Sequence, residues 1–239
     1  MTTPRFKCKK CMDRLCMHKV PILSSLDIED LKKIMGLIHH KEYNKGDTLV
    51  FVGDTMDSVV IINEGSVKAY KNTSDGREQI LYVFSEGDFF GEQNLFRNQT
   101  ATYTVEALQA VKTCNLSRKQ FQELLYSFPE IAVKIIDELG NRMNRLENAL
   151  QSIGVRNVDN RIGSILIEFA EKYGIKDEEG IIIQLPLSRE GIANYLGVAR
   201  ETVSRKFSQM ENDGLIRSLS NKEILIPDLD KIEAIAGIN

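Results

Sequence analysis

Five regularly spaced glycines punctuate residues 41 to 118. Gly46, Gly53, Gly65, Gly76 and Gly87 fall 7 to 12 residues apart, with Asp or Glu beside them. Between them lie short runs rich in β-branched and aromatic residues, namely TLVFV, SVVIINEG, SVKAY, QILYVF and YTVEAL. Glycine supplies the backbone freedom that tight turns require, and β-branched and aromatic residues suit a pleated, half-buried surface. Short strands at such regular spacing close into a sandwich or barrel, and a double-sheet jelly roll is the simplest fold that fits.

The flanks of this region read differently. Residues 22 to 40, ILSSLDIEDLKKIMGLIHH, carry Leu26, Leu31, Ile34, Met35 and Ile38 at helical spacing, with Ser25 or Asp27 as cap. They predict a short helix leading into the roll. Beyond it, Ala132, Ile136, Leu139, Met143, Leu146, Leu150 and Ile153 step by alternating fours and threes, flanked by Glu138, Arg142, Arg145 and Glu147. That is a heptad seam. An amphipathic helix packed on its own domain is the alternative, but such a helix needs a broader stripe than two positions in seven. The seam therefore predicts a dimer helix. Gly154 and the polar RNVDN predict a hinge, followed by a helix from Asp159 to Tyr173 (Ile162, Ile165, Leu166, Phe169).

The C-terminal third contains LSREGIANYLGVARETVSRKFSQMENDGLI, which reads as helix, tight turn, helix. Ser188 is placed to cap the first helix, Gly197 to make the turn, and Ala193 to let the two helices approach closely. On the second helix Val203, Phe207 and Met210 form an apolar face, while Arg200, Glu201, Ser204 and Arg205 share another as two i,i+4 pairs. LIRSLSNKEILIPD then reads as a β-hairpin turning at Ser220-Asn221, a wing. An exposed Arg, Glu, Ser and Arg face can read base edges in a major groove. The net charge of the chain is −3, and residues 188 to 223 hold six basic and five acidic side chains. Nonspecific attraction to DNA is therefore modest, and specificity rests on few base contacts.

Three of the four cysteines lie in CKKCMDRLC, at Cys8, Cys11 and Cys16; the fourth is Cys114. The N-terminal MTTPRFKCKK has no apolar core and no small-residue cleavage site, and no run has the length of a membrane span. These features predict a cytoplasmic chain, where clustered thiols bind metal or sense redox state more often than they form disulfides. The cysteines alone allow several readings. They are ligands for an iron–sulfur cluster, a zinc site using C-x2-C and His18, or a dithiol switch beside Lys9 and Lys10. A jelly roll can also be a metal-dependent enzyme, but such a site needs histidines on its strands. His18, His39 and His40 all precede or begin the roll, and no catalytic motif is present. The chain does not read as an enzyme.

The order of parts resembles the CRP/FNR family of bacterial transcription regulators, with GDFFGEQNLF in the roll and NYLGVARETVSR in the helix-turn-helix as the motifs that carry the likeness. The resemblance implies an α+β chain. An N-terminal double-stranded β-helix (jelly roll) is followed by a long dimerisation helix and a C-terminal winged helix-turn-helix. The expected domains are a cysteine-rich arm (1–20), a β-roll sensor (21–128), a dimerisation helix with hinge (129–156) and a DNA-binding domain (157–239). The cAMP-binding branch holds its ligand with a Gly-Glu pair and an Arg-Ser pair. Gly91 and Glu92 are kept, but Ala101 and Thr102 stand where the Arg-Ser falls, so no cyclic nucleotide is expected. The FNR branch binds a 4Fe–4S cluster through four cysteines, which match Cys8, Cys11, Cys16 and Cys114, with one residue fewer in the second gap. The implied function is a homodimeric oxygen or redox sensor that binds palindromic double-stranded DNA and acts with RNA polymerase. Ile136, Leu139, Met143, Leu146, Leu150 and Ile153 would form the dimer interface. Glu201 and Arg205 match both branches, Ser204 the branch reading TTGAT, and Arg200 the branch reading TGTGA. Arginine on guanine discriminates more strongly than serine near thymine, so a TGTGA-type palindrome is expected.

Overall fold

The computed structural model describes residue 20 and residues 36–92, 100–155 and 157–237. Cys8, Cys11, Cys16, His18 and most of the helix expected over 22–40 lie outside these residues. The chain divides into two compact units: most of the roll with the start of the long helix, and the remainder of that helix with the C-terminal third.

The roll comprises β1 (His39–Tyr43), β2 (Thr48–Val50), β3 (Ser58–Glu64), β4 (Ser66–Asn72), β5 (Glu78–Ser85), β6 (Phe89–Phe90), β7 (Thr104–Ala107) and β8 (Val111–Ser117). They form two four-stranded sheets in the orders β1-β8-β3-β6 and β2-β7-β4-β5, the strand arrangement of a jelly roll. His39 and His40 are thus strand, not the end of a helix. Residues 36 and 37 form a turn, and β1 pairs antiparallel with β8 from His39↔Asn115 to Tyr43↔Val111.

In the sheet β1-β8-β3-β6, strand β3 is buried on both faces, which is why it reads as the unbroken apolar run VVII. Val60, Ile62, Val111 and Phe90 face the other sheet, together with Val67, Ala69 and Val105. Val59, Ile61, Cys114, Leu116 and Phe89 point the other way, into a second buried cluster closed by Phe121, Leu124, Ile131, Ile135 and Val20. Phe121 and Leu124 come from α1 (Arg118–Ser127), whose start is fixed by a capping box: the Ser117 hydroxyl accepts from the Gln120 amide, and the Gln120 side chain accepts from the Ser117 N–H at 3.0 Å.

The expected long helix is α2 (Pro129–Val155), 27 residues long. It has two apolar faces. Ile131 and Ile135, one turn apart, are 0% and 5% exposed against the roll, whereas Ile136, Leu139 and Met143 are 68%, 38% and 60% exposed. The side chains of Leu146, Leu150 and Ile153 lie outside the described residues. The helix runs through Gly154, so the break falls later, where Asn157 caps α3 (Val158–Tyr173).

In the second unit β9 (Gly174–Asp177) and β10 (Gly180–Gln184) join the wing strands β11 (Arg217–Ser218) and β12 (Glu223–Ile226) in one sheet, ordered β11-β12-β10-β9. The helix-turn-helix is α4 (Arg189–Leu196) and α5 (Arg200–Asn212), and α6 (Leu229–Ala236) closes the chain against α3. A Cβ on Gly163 of α3 would lie 3.0 Å from the Ala236 backbone nitrogen, so the absence of a side chain there permits the close packing. Among the described residues no helix is long and apolar enough to cross a membrane.

Candidate nucleic-acid interface and a buried cysteine

The helix-turn-helix forms as its residues dictate. The Ser188 hydroxyl accepts from the Gly191 amide at 3.1 Å and caps α4. Gly197 ends the helix with φ 65 and ψ 39, a left-handed conformation that a side chain would strain. Val198 donates its N–H back to the Ala193 carbonyl at 3.0 Å, and Ala193 is buried at the crossing of the two helices. Val203, Phe207 and Met210 anchor α5 from below, and each is buried. Lys206 ties α5 to α3 through an ion pair with Asp159 at 2.8 Å. What remains on the outer side of α5 is the expected set. Arg200, Glu201, Ser204 and Arg205 are all exposed.

Three residues that the sequence reading passed over attach the wing to this helix. The Arg189 guanidinium carbon sits 3.5 Å from the centre of the Phe207 ring, a cation–π contact, and one of its nitrogens reaches the Ser218 hydroxyl at 3.5 Å. Burial pushes the Arg189 guanidinium below its ordinary pKa, while the Glu211 carboxylate opposes that shift. Glu211 accepts from the Ser218 amide at 3.0 Å, and the Ser218 hydroxyl and amide hold its carboxyl below the usual range. Between α4, the first turn of α5 and the wing lies a concave surface of about 510 Å³, lined by Ser188, Arg189, Arg200, Ser218 and Asn221 among others. Arg189 and Arg200 set two positive charges against the single carboxylate of Glu190 in this lining, so its charge balance is mildly cationic. Arg189, in the first turn of α4, lies 18 residues before Phe207, and no local periodicity in the sequence links the two.

On the first unit, Cys114 lies on β8 with its thiol turned out of the sandwich, and it is 4% exposed. It is not in a disulfide. Across the ladder it faces Ile61 on β3 and His40 on β1, and the His40 Nδ1 is 3.6 Å from its sulfur. Val20, Ile131 and Ile135 belong to the same buried cluster. Cys8, Cys11 and Cys16 are outside the described residues, and no group of three metal-binding side chains occurs among those described.

Gly91 of the Gly91-Glu92 pair has a backbone role. Gly91 adopts φ 90, and a Cβ there would come within 2.6 Å of the Ser58 carbonyl oxygen. Glu92 is 5% exposed. Ala101, where the resemblance expects a phosphate-binding arginine, uses its backbone to pair with the Gly53-Asp54 turn, donating to Asp54 at 2.8 Å and accepting from Gly53 at 2.7 Å. Its methyl group brings no charge to the site.

Comparison with known proteins agrees with this architecture. The cyclic nucleotide-binding domain family matches residues 40–127, and the Crp-like helix-turn-helix domain family matches residues 160–235. The transcriptional activator protein FnrL of Cereibacter sphaeroides is 26% identical over 232 residues, covering 95% of this chain and 92% of that protein. A CRP-like cAMP-activated global transcriptional regulator of Mycobacterium tuberculosis is 27% identical over 191 residues, covering 80% of this chain and 85% of that one. The solved structure of a CooA mutant from Carboxydothermus hydrogenoformans shares the fold with a TM-score of 0.75 at 21% identity, over 91% of this chain and 95% of that one. These domains and relatives are those of a transcription regulator and not of an enzyme. With a jelly roll, a long helix and a winged helix-turn-helix in that order, the chain belongs to the CRP/FNR family of DNA-binding transcription regulators.

Proposed function

We propose that this chain is a homodimeric, cytoplasmic regulator that senses oxygen or redox state through a 4Fe–4S cluster held by Cys8, Cys11, Cys16 and Cys114. Residues 1–20 act as the cysteine arm, 21–128 as sensor, 129–156 as dimerisation helix and hinge, and 157–239 as the DNA-binding domain that works with RNA polymerase at promoters.

One observation carries this reading: Cys114 is buried on the outward face of its sheet, in the same cluster as Val20. Val20 is the fourth residue after Cys16, and an extended chain spans at most about 3.6 Å per residue, so Cys16 is tethered within about 14 Å of Val20. The chemistry of the donors fits, since four thiolates complete a cubane. Bound there, the cluster supplies an oxidant-labile link between the arm and β8. Ile131 and Ile135 sit in that same cluster, so the arm and the first turns of α2 share one packing surface. Release of the arm therefore biases how α2 is held, while the outward Ile136, Leu139 and Met143 seat the partner helix. Arg200, Glu201, Ser204 and Arg205 read the half-site. A cyclic nucleotide is not the effector, because Ala101 offers its phosphate no guanidinium.

The test compares DNA affinity at one fixed salt concentration for wild type and for each Cys→Ser variant, before and after air exposure. Tight binding should be confined to anaerobic wild type. Equal affinity regardless of oxygen and of all four cysteines would overturn the proposal.

A further inference from the structure

We infer that His40 is a positioning residue for the sensor. Its Nδ1–H donates to the Cys114 sulfur and sets how firmly that thiolate holds iron. The inference rests on the cluster reading above and specifies one of its controls. His40 and Cys114 are 74 positions apart in sequence, and the β1–β8 register places them directly opposite one another. Nδ1 lies 3.6 Å from Sγ, a normal distance for a nitrogen donor to sulfur. His40 is half-buried and Cys114 is 4% exposed, so solvent competes little for the sulfur. On the other side Ile61, opposite Cys114 on β3, brings no donor.

The direction of this hydrogen bond follows from the ligand chemistry. A thiolate bound to iron has no proton to give, so the proton of the contact is the one on Nδ1. Donation to a coordinating sulfur orients it and relieves its negative charge. A cluster held there would gain negative charge on its sulfurs when an electrode supplied one electron, with its bonds unchanged. A donor at Cys114 therefore favours the reduced form and raises the potential.

The side-chain amide nitrogen of asparagine stands near where Nδ1 stands, and that of glutamine near Nε2. This separates a specific donor from a polar filler. Anaerobically purified wild type, His40→Asn, His40→Gln and His40→Leu holoprotein should be compared by iron release to a chelator and by electrode potential. Wild type and His40→Asn should behave alike. His40→Gln and His40→Leu should release iron faster, on the order of tenfold, as outer-shell changes at metal sites commonly do, and their potentials should be more negative. If all four proteins carry the cluster with the same release rate and potential, His40 has no such role. If His40→Leu retains no cluster, the Asn and Gln pair decides, and equal behaviour of those two overturns the inference. Wild type without labile sulfide would overturn the cluster reading, and this one with it.

Discussion

The exposed stripe on α2 gives a quantitative prediction about assembly. Ile136 is 68% exposed and Met143 is 60% exposed in the single chain, and both lie on the heptad seam. Fully burying an aliphatic side chain contributes about 1.5–3 kcal/mol, so the exposed part of Ile136 is worth about 1–2 kcal/mol to a partner. A two-fold interface counts the residue twice. Alanine keeps the Cβ, so Ile136→Ala should weaken dimerisation by the lower half of the doubled range, about 2–3 kcal/mol or roughly 30- to 150-fold in Kd. Val133 is the control. It is 65% exposed on the same helix but about a quarter turn off the seam, and Val133→Ala should leave association unchanged. Sedimentation equilibrium across a dilution series reads both. Further along, Leu146→Asp should act more strongly, because two facing carboxylates would be buried without partners. The seam assignment fails if Ile136→Ala associates as wild type does, or if Val133→Ala weakens the dimer equally.

Three further outcomes are expected. Arg200→Val should lose preference for a TGTGA palindrome over a TTGAT palindrome by about 1–3 kcal/mol; anisotropy at fixed salt measures this, and a uniform loss on both sites would assign Arg200 to the phosphate backbone. Ser188→Ala removes the cap of α4 and should cost about 1 kcal/mol in denaturant melts, with no loss meaning that the Gly191 amide finds water instead. Glu211 has its folded pKa lowered by Ser218, so its contribution is present above the unfolded value of about 4.3 and is lost as pH falls through the lower folded value. Because Glu211 is exposed, solvent screening should keep the wild-type advantage over Glu211→Gln below about 1 kcal/mol at neutral pH, and melts near pH 3 should show it shrinking; an advantage that persists there would exclude the charge as its origin.

The parts of this fold that were legible in the sequence are those whose signal is local. Turn glycines marked the roll, the four-three stepping marked α2, and Ser188, Gly197 and Ala193 marked the helix-turn-helix. Strand β1 was hidden because HHKEY has no apolar alternation; as an edge strand with exposed positions it needs none. Helix α1 did carry a local signal, the Ser117-x-x-Gln120 capping box, and it was overlooked beside the longer heptad. The hairpin β9–β10 was missed in the same way, though Gly180 with φ 141 and the triple isoleucine that follows mark it. At the sites, the exposed face of α5 could be read from helical periodicity alone. Contacts set by tertiary register could not be. His40 meets Cys114 only because β1 and β8 pair with that offset. Arg189 finds Phe207 only because the turn at Gly197 folds α4 across α5. The second apolar face of α2, Ile131 and Ile135, was masked by the more regular seam beside it.

The central claim is that four cysteines of this chain hold a cluster, and metal content tests it most directly. Anaerobically isolated protein should contain about four irons and four acid-labile sulfides per chain, with little zinc, and each of Cys8→Ser, Cys11→Ser, Cys16→Ser and Cys114→Ser should lose both. Stoichiometric zinc without labile sulfide, or a full iron complement in the Cys114→Ser protein, would contradict it.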